Sequence, residues 1–245
     1  MSEGLFQCPR INRAFFCSQH FVVYSTLIEQ HFMSIDYLVI EGNIGAGKTT
    51  LATMLSADLN SKLILEGFSD NPFLPKFYSD PAKYSFPLEL SFLAERYSQL
   101  KNDLANRDLF HKLTIMDYYF MKSLIFAQNT LAPDEYQLYR KFFDIIYERL
   151  PRPDLYVFLH MPENKLIENI RMRGRDYEQS IDSQYLRTIR EGYFNFFSQQ
   201  TDFPVLIIDT SNIDFVKNTA HYLLVRDLIF KNKYPNGISR EILNG

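Results

Sequence analysis

Gly42-Asn43-Ile44-Gly45-Ala46-Gly47-Lys48-Thr49-Thr50 decides the fold. It follows the apolar run Tyr37-Leu38-Val39-Ile40 and precedes Leu51-Ala52-Thr53-Met54-Leu55, whose pattern is helical. Strand, glycine loop and helix in that order match Gly-x-x-x-x-Gly-Lys-[Ser/Thr] at every fixed position. Glycines let backbone N–H groups turn inward around a phosphate. The helix that starts at the loop adds its positive dipole end. Lys48 can reach the β- and γ-phosphates, and the Thr49 hydroxyl can ligate Mg²⁺. The stretch is therefore a cradle for a nucleoside triphosphate, and the rest of the chain must say what receives the phosphate.

Working outward, strands are expected at 36–41, 62–66, 113–117, 154–159 and 204–209. Helices are expected near 48–60, 85–107, 119–129, 133–149, 162–171, 183–200 and 214–230. This alternation predicts an α/β fold, a five-stranded parallel sheet flanked by helices. Ligands of such sheets bind outside the carboxyl ends of the strands, where Glu66 and Asp117 stand. No repeat or linker interrupts residues 33–230, so they form one expected domain. Residues 1–32 are aromatic and irregular, and translation is expected to begin at Met33, with the leader an artefact of the gene model. Residues 231–245 are polar and expected to be a loose tail.

Of the 245 residues, 46% are hydrophobic and the formal net charge is −3. That balance argues for a globular protein and against a nucleic-acid partner held by charge. Two cysteines, Cys8 and Cys17, make no disulfide framework and point to a reducing, cytoplasmic setting. No apolar run is long enough to suggest a membrane span.

Four groups of residues carry candidate chemistry. Glu66 closes the second strand beside the loop, where a carboxylate can orient a hydroxyl and accept its proton. Asp117 closes the third strand, where an acid either holds Mg²⁺ through water or acts as the base itself. Arg171-Met172-Arg173-Gly174-Arg175 suits a lid that closes over phosphates and excludes water, and Glu178 after it could face the acceptor. Phe68, Tyr78 and Tyr118 are candidates to sandwich a planar ring.

The loop Glu41 to Thr50, the acid closing strand two and the Arg173-Gly174-Arg175-x-x-Glu178 lid together resemble the deoxynucleoside kinases. The type is that of deoxycytidine, deoxyguanosine and deoxyadenosine kinases, and the resemblance runs over residues 36–230. It implies a P-loop kinase fold with an Arg-rich lid, ATP as phosphate donor with Mg²⁺, and a deoxyribonucleoside as acceptor; a homodimer is the expected assembly. Glu66 then corresponds to the carboxylate beside the nucleoside 5′-hydroxyl. Tyr78, which opens Tyr78-Ser79-Asp80-Pro81-Ala82-Lys83-Tyr84-Ser85-Phe86, becomes the partner of the sugar 3′-hydroxyl, with Glu178 on the same group. Arg96, seven residues after Glu89, matches a base-pocket arginine. Arg173 and Arg175 match the lid arginines, and Ile213-Asp214-Phe215 resembles the loop that holds the ATP adenine.

Some positions depart from the family. Asp117-Tyr118-Tyr119 stands for the usual Asp/Glu-Arg-Ser, so phosphate contacts must come from elsewhere. Asn169 takes the first lid position, where Arg is common, and Arg171 is expected to compensate. Ser123 replaces an Asp, and Glu89 replaces a base-reading Gln. Ionised Glu89 only accepts hydrogen bonds, which suits bases that present an amino group. The expected order is deoxyadenosine first and thymidine poorest. The rival readings are a nucleoside monophosphate kinase of the thymidylate kinase kind, disfavoured by the acids Glu66, Glu89 and Asp117, and a nucleotide-dependent switch, for which no water-positioning residue is evident.

Overall fold

A computed structural model describes residues 35–67, 71–105 and 111–244. The leader 1–32, the expected start at Met33, both cysteines, Phe68 and the helix end at Arg107 lie outside those residues.

Six parallel strands form one sheet in the order β2-β3-β1-β4-β5-β6. They are β1 (Tyr37–Gly42), β2 (Lys62–Ile64), β3 (Thr114–Met116), β4 (Leu155–His160), β5 (Pro204–Asn212) and β6 (Gly237–Asn244). β1 lies between β3 and β4, and Leu38, Val39 and Ile40 are wholly buried. A central parallel strand is covered on both faces, which is why its sequence is a continuous apolar run. The helices are α1 (Lys48–Leu59), α2 (Leu74–Ser79), α3 (Pro81–Ala105), α4 (Lys122–Thr130), α5 (Pro133–Tyr147), α6 (Glu163–Arg173), α7 (Ser183–Ser198) and α8 (Thr219–Lys231). Val39, Met116, Tyr156, Phe158, Val205 and Ile207 meet side chains of α3, α4, α5 and α7 in one aromatic core. Within it Tyr156 stacks on Phe203 at 5.9 Å and takes the edge of Tyr119. Strand alternation turns Leu38 and Ile40 to the other face.

The sheet has six strands rather than the expected five. The supposed loose tail contains β6, which pairs in parallel with β5 from Pro204↔Gly237 onward. As an edge strand it buries little, so Arg240 and Glu241 sit in it without cost and no apolar pattern announces it. The last helix begins at Thr219 rather than Asp214. Asp214 Oδ1 accepts from the N–H groups of Val216 and Lys217 in a turn, and Asn218 caps the helix by accepting from Ala220 N–H at 2.9 Å. α3 begins at Pro81 rather than Ser85, since proline fits the first turn of a helix.

Candidate active site

A cavity of about 540 Å³ opens at the carboxyl ends of the strands. Its floor is the glycine loop between β1 and α1. Gly45 and Gly47 both have φ near +84°, and a Cβ at Gly45 would stand 2.7 Å from the Leu166 carbonyl oxygen. Only glycine relieves both constraints. Among the described residues no side chain caps α1, and the first N–H groups of a helix suit an anion. Lys48 Nζ donates to the Asn43 carbonyl at 3.0 Å, and burial with the nearby Lys122 charge brings its pKa down to about 8. Asn43 is tied down on its other side, with Nδ2 donating to the Leu186 carbonyl at 2.7 Å.

Two carboxylates link this loop to the opposite wall. The Thr49 hydroxyl donates to Asp117 Oδ2 at 2.6 Å, and the Glu66 backbone N–H donates to Asp117 Oδ1 at 2.6 Å. Asp117 thus joins the start of α1 to Glu66, which lies two residues beyond the end of β2 rather than in the strand itself. Among the described residues there is no cluster of three or more metal-ligating His, Cys, Asp or Glu side chains. A hydroxyl beside one carboxylate fits Mg²⁺ all the same, because that ion is commonly held by one or two carboxylates together with substrate phosphates.

Glu66 lies inside an ion cluster. Arg96 donates to Oε1 from Nε and Nη2 at 3.0 and 2.6 Å, and Lys122 Nζ donates to Oε2. Burial alone would raise this carboxyl's pKa, but the Lys122 and Arg96 charges outweigh it and hold it at about 2. Conversely, burial would lower the pKa of Lys122, and Glu66 raises it past that penalty. Arg96 reaches Ser123 Oγ with its remaining nitrogen at 2.7 Å. Glu66 is therefore a fixed anion, able to accept from a hydroxyl and reluctant to keep a proton.

A second cluster closes the cavity's mouth. Arg173 and Arg175 both pair with buried Glu178, the latter at 3.1 Å. Tyr78 also lines the cavity and stacks on Tyr177 at 5.9 Å. Burial and the Glu178 charge raise its hydroxyl pKa.

The sequence profile of the family described as "Deoxynucleoside kinase" matches residues 38–231. This chain belongs to the deoxynucleoside kinase family. As a deoxynucleoside kinase it is an ATP-dependent phosphotransferase. It is 37% identical to a deoxyguanosine kinase of Bacillus subtilis over 193 residues, 76% of this chain and 92% of that one. It is 31% identical over 186 residues to a deoxyadenosine kinase of Dictyostelium discoideum, covering 75% of this chain and 76% of that one. The fold matches a structure of deoxyadenosine kinase from M. mycoides with bound dATP, at TM-score 0.67 and 24% identity over 78% of this chain and 98% of that one.

Most expected site residues of this kinase line the one cavity: Ile44, Gly45, Gly47 to Thr50, Glu66, Tyr78, Glu89, Arg96, Asp117, Asn169, Arg173, Arg175 and Glu178. Gly42, Asn43 and Ala46 lie beneath that surface. Three expectations need correction. Tyr118 does not face a ring site: it is fully buried in the aromatic core, with its hydroxyl donating to Gln99 at 3.0 Å. Arg171 does not compensate for Asn169, since it is exposed and does not line the cavity. Asn169 instead braces the loop, donating to the Gly45 carbonyl at 2.8 Å. Phe215 sits buried under Gly47, where an added Cβ would come within 3.0 Å of its ring, and Val216 is the residue of that segment that lines the cavity. Asp214 is spent on its turn.

Lys122 is the residue that sequence reasoning missed. It is 8% exposed, starts α4 and enters the cavity beside Glu66. The available signal was one lysine inside Tyr118-Tyr119-Phe120-Met121-Lys122-Ser123-Leu124-Ile125-Phe126, a run that is aromatic or aliphatic apart from Lys122 and Ser123.

Proposed function

We propose that this kinase uses ATP with Mg²⁺ to phosphorylate the 5′-hydroxyl of a deoxyribonucleoside, with a preference for purines. One observation carries the reading: Asp117 joins Thr49 of the phosphate loop to Glu66, an anion held between Arg96 and Lys122 on the cavity wall. Donor phosphates belong on the loop side, and the acceptor hydroxyl belongs at Glu66. Thr49 and Asp117 would hold Mg²⁺, which neutralises charge on the donor phosphates. Glu66 accepts the hydroxyl's hydrogen bond and aims its oxygen along the line of attack. The new O–P bond forms as the bond to ADP breaks, and the hydroxyl proton leaves late, along its hydrogen bond to Glu66 and on to solvent, since a carboxyl whose pKa is held at about 2 does not keep it. The names of the relatives support a purine acceptor.

The test is ADP formation with ATP alone and with each of the four deoxynucleosides in turn. A nucleoside-dependent rate giving a 5′-monophosphate is the expected result. Phosphate release without acceptor would mean a switch, and turnover with a monophosphate but no nucleoside would mean a monophosphate kinase.

In this reading Arg173 and Arg175 let go of Glu178 to meet the transferring phosphoryl group. Arg175→Ala should then lower kcat far more than it raises the nucleoside KM. Equal changes in both constants would mark an ordinary binding contact.

The reading includes a homodimer. Leu138, Phe142 and Ile145 of α5 are 47%, 47% and 63% exposed, and their spacing puts them on one helix face. Light scattering should give twice the chain mass, and Phe142→Glu should halve it. A wild-type monomer would end this part of the proposal. The cysteine usage supports a cytoplasmic setting, which cell fractionation checks.

A further inference from the structure

Glu89 is 2% exposed, lines the cavity from α3 and leaves Oε2 without a hydrogen-bond partner among the described residues. Its other oxygen, Oε1, lies 3.0 Å from the Thr130 hydroxyl. That hydroxyl has one proton and two candidate acceptors, because the Phe126 carbonyl lies 2.9 Å away. The cations nearby are committed elsewhere. Arg96 bonds to Glu66 and Ser123, and Lys122 bonds to Glu66. Tyr139 from α5 donates to the Glu89 backbone carbonyl rather than its carboxyl, at 3.4 Å. The Tyr185 ring of α7 lines the same cavity, and the Glu66 charge across it repels a second anion.

A buried carboxylate with one oxygen unpaired is costly, whereas the neutral acid is not. Burial, only partly offset by Arg96, brings the Glu89 pKa up to about 7. Both protonation states are therefore within reach at neutral pH.

We propose that Glu89 reads the base in two protonation states, as a neutral acid that donates from Oε2 to an adenine ring nitrogen and as an anion that accepts from guanine N–H groups. Adenine flanks its amino group with acceptor nitrogens, so it needs a donor from the protein. Guanine presents N–H donors on one edge and is served by lone pairs alone. A glutamine in this place would always offer both. Glu89 offers the donor only while protonated, and so ties base choice to pH. This rests on the nucleoside kinase reading above and deepens it.

The experiment measures kcat/KM for deoxyadenosine and deoxyguanosine from about pH 5.5 to about pH 8.5, bracketing the titration. The deoxyadenosine-to-deoxyguanosine ratio should fall by about tenfold as pH rises through about 7, the scale of one hydrogen bond. Glu89→Gln should hold the ratio constant near its acidic value. A second measurement needs neither turnover nor the variant. Calorimetry of deoxyadenosine binding at about pH 8, in buffers of different ionisation enthalpy, should show proton uptake. If both nucleosides are phosphorylated at a constant ratio and no proton is taken up, the Glu89 proposal is overturned and the kinase reading stands. If neither nucleoside is bound or phosphorylated, the reading beneath it falls, and this proposal falls with it.

Discussion

Glu66→Gln should cut kcat by about 10²-fold or more, the usual scale for a positioned acid–base group, and added Mg²⁺ should not restore it. The amide keeps the shape but loses the charge that, in the proposed reading, draws the acceptor hydroxyl into line. It also leaves Arg96 and Lys122 buried beside a neutral group, a change that costs roughly 3–5 kcal/mol when one partner of a buried pair is removed. Stability and catalysis can be separated by adding Lys122→Met to the same chain. The double variant should regain much of the lost melting temperature and none of the lost turnover.

Asp117 supplies the contrast. Asp117→Asn can still accept from Glu66 N–H while its amide nitrogen turns to Thr49, so geometry survives and only the charge proposed to hold Mg²⁺ is lost. More Mg²⁺ should then be needed for half-maximal activity, and excess metal should partly rescue the rate. Asp117→Ala leaves the Glu66 N–H without its acceptor and should resist rescue. If Glu66→Gln proves the metal-rescued variant instead, the two roles are exchanged and Asp117 is the base.

Acid conditions test the same carboxylate. Its pKa falls from an ordinary 4.5 to about 2 on folding. The cluster's contribution to stability is thus fully present above about pH 4.5 and is lost as pH falls through about 2. At saturating nucleoside, kcat should show no acidic limb between about pH 4 and 5, where an ordinary glutamate would titrate.

Lys122→Met should lower kcat by about 10²-fold, as does the loss of other preorganised charges near a reacting group, with a much smaller change in nucleoside KM. The strand-three motif has Tyr118 at the position where the family's arginine is usual. In the proposed reading Lys122 takes that cation's place from the first turn of α4, four residues after Tyr118, where it bonds Glu66 Oε2 while Arg96 bonds Oε1. Glu66 keeps both Arg96 contacts in the variant, so the fold should suffer less than in Glu66→Gln. Lys122→Arg should recover part of the rate, because the charge returns in a broader, planar shape. A rise in KM with kcat unchanged would reduce Lys122 to a binding or structural group.

The phosphate loop and five of the six strands were legible in the sequence because each is encoded locally, while cavity residues such as Glu89, Arg96 and Asn169 were legible only through the resemblance to the deoxynucleoside kinases. A glycine loop sits between its own strand and helix, and a central strand is apolar throughout. What escaped is encoded at a distance. Lys122 is tolerable inside the protein only because Glu66, 56 residues earlier, faces it, and no local pattern records that pairing. Tyr118 and Tyr78 look alike as aromatic residues near strand or helix ends, yet one is core and the other cavity. Arg171 failed for a helical reason: two residues from Arg173, it points to a different side of α6, whereas Asn169, four residues from Arg173, shares its face. β6 buries too little to leave an apolar signature. Glu89 was legible as a departure, but its proton depends on burial.

The central position of β1 carries a consequence in time. Its residues are among the first of the fold to leave the ribosome, yet every ladder partner they have is made later: β3 at Thr114–Met116 and β4 at Leu155–His160. The phosphate loop hangs from the end of that strand. About two-thirds of the chain must emerge before β1 has neighbours on both sides, and closing such long intervals is the slow part of assembling a parallel sheet. The stretch that is easiest to recognise on paper is therefore among the last to become able to bind anything, and until then the nascent chain carries an unpaired apolar strand for chaperones to shield.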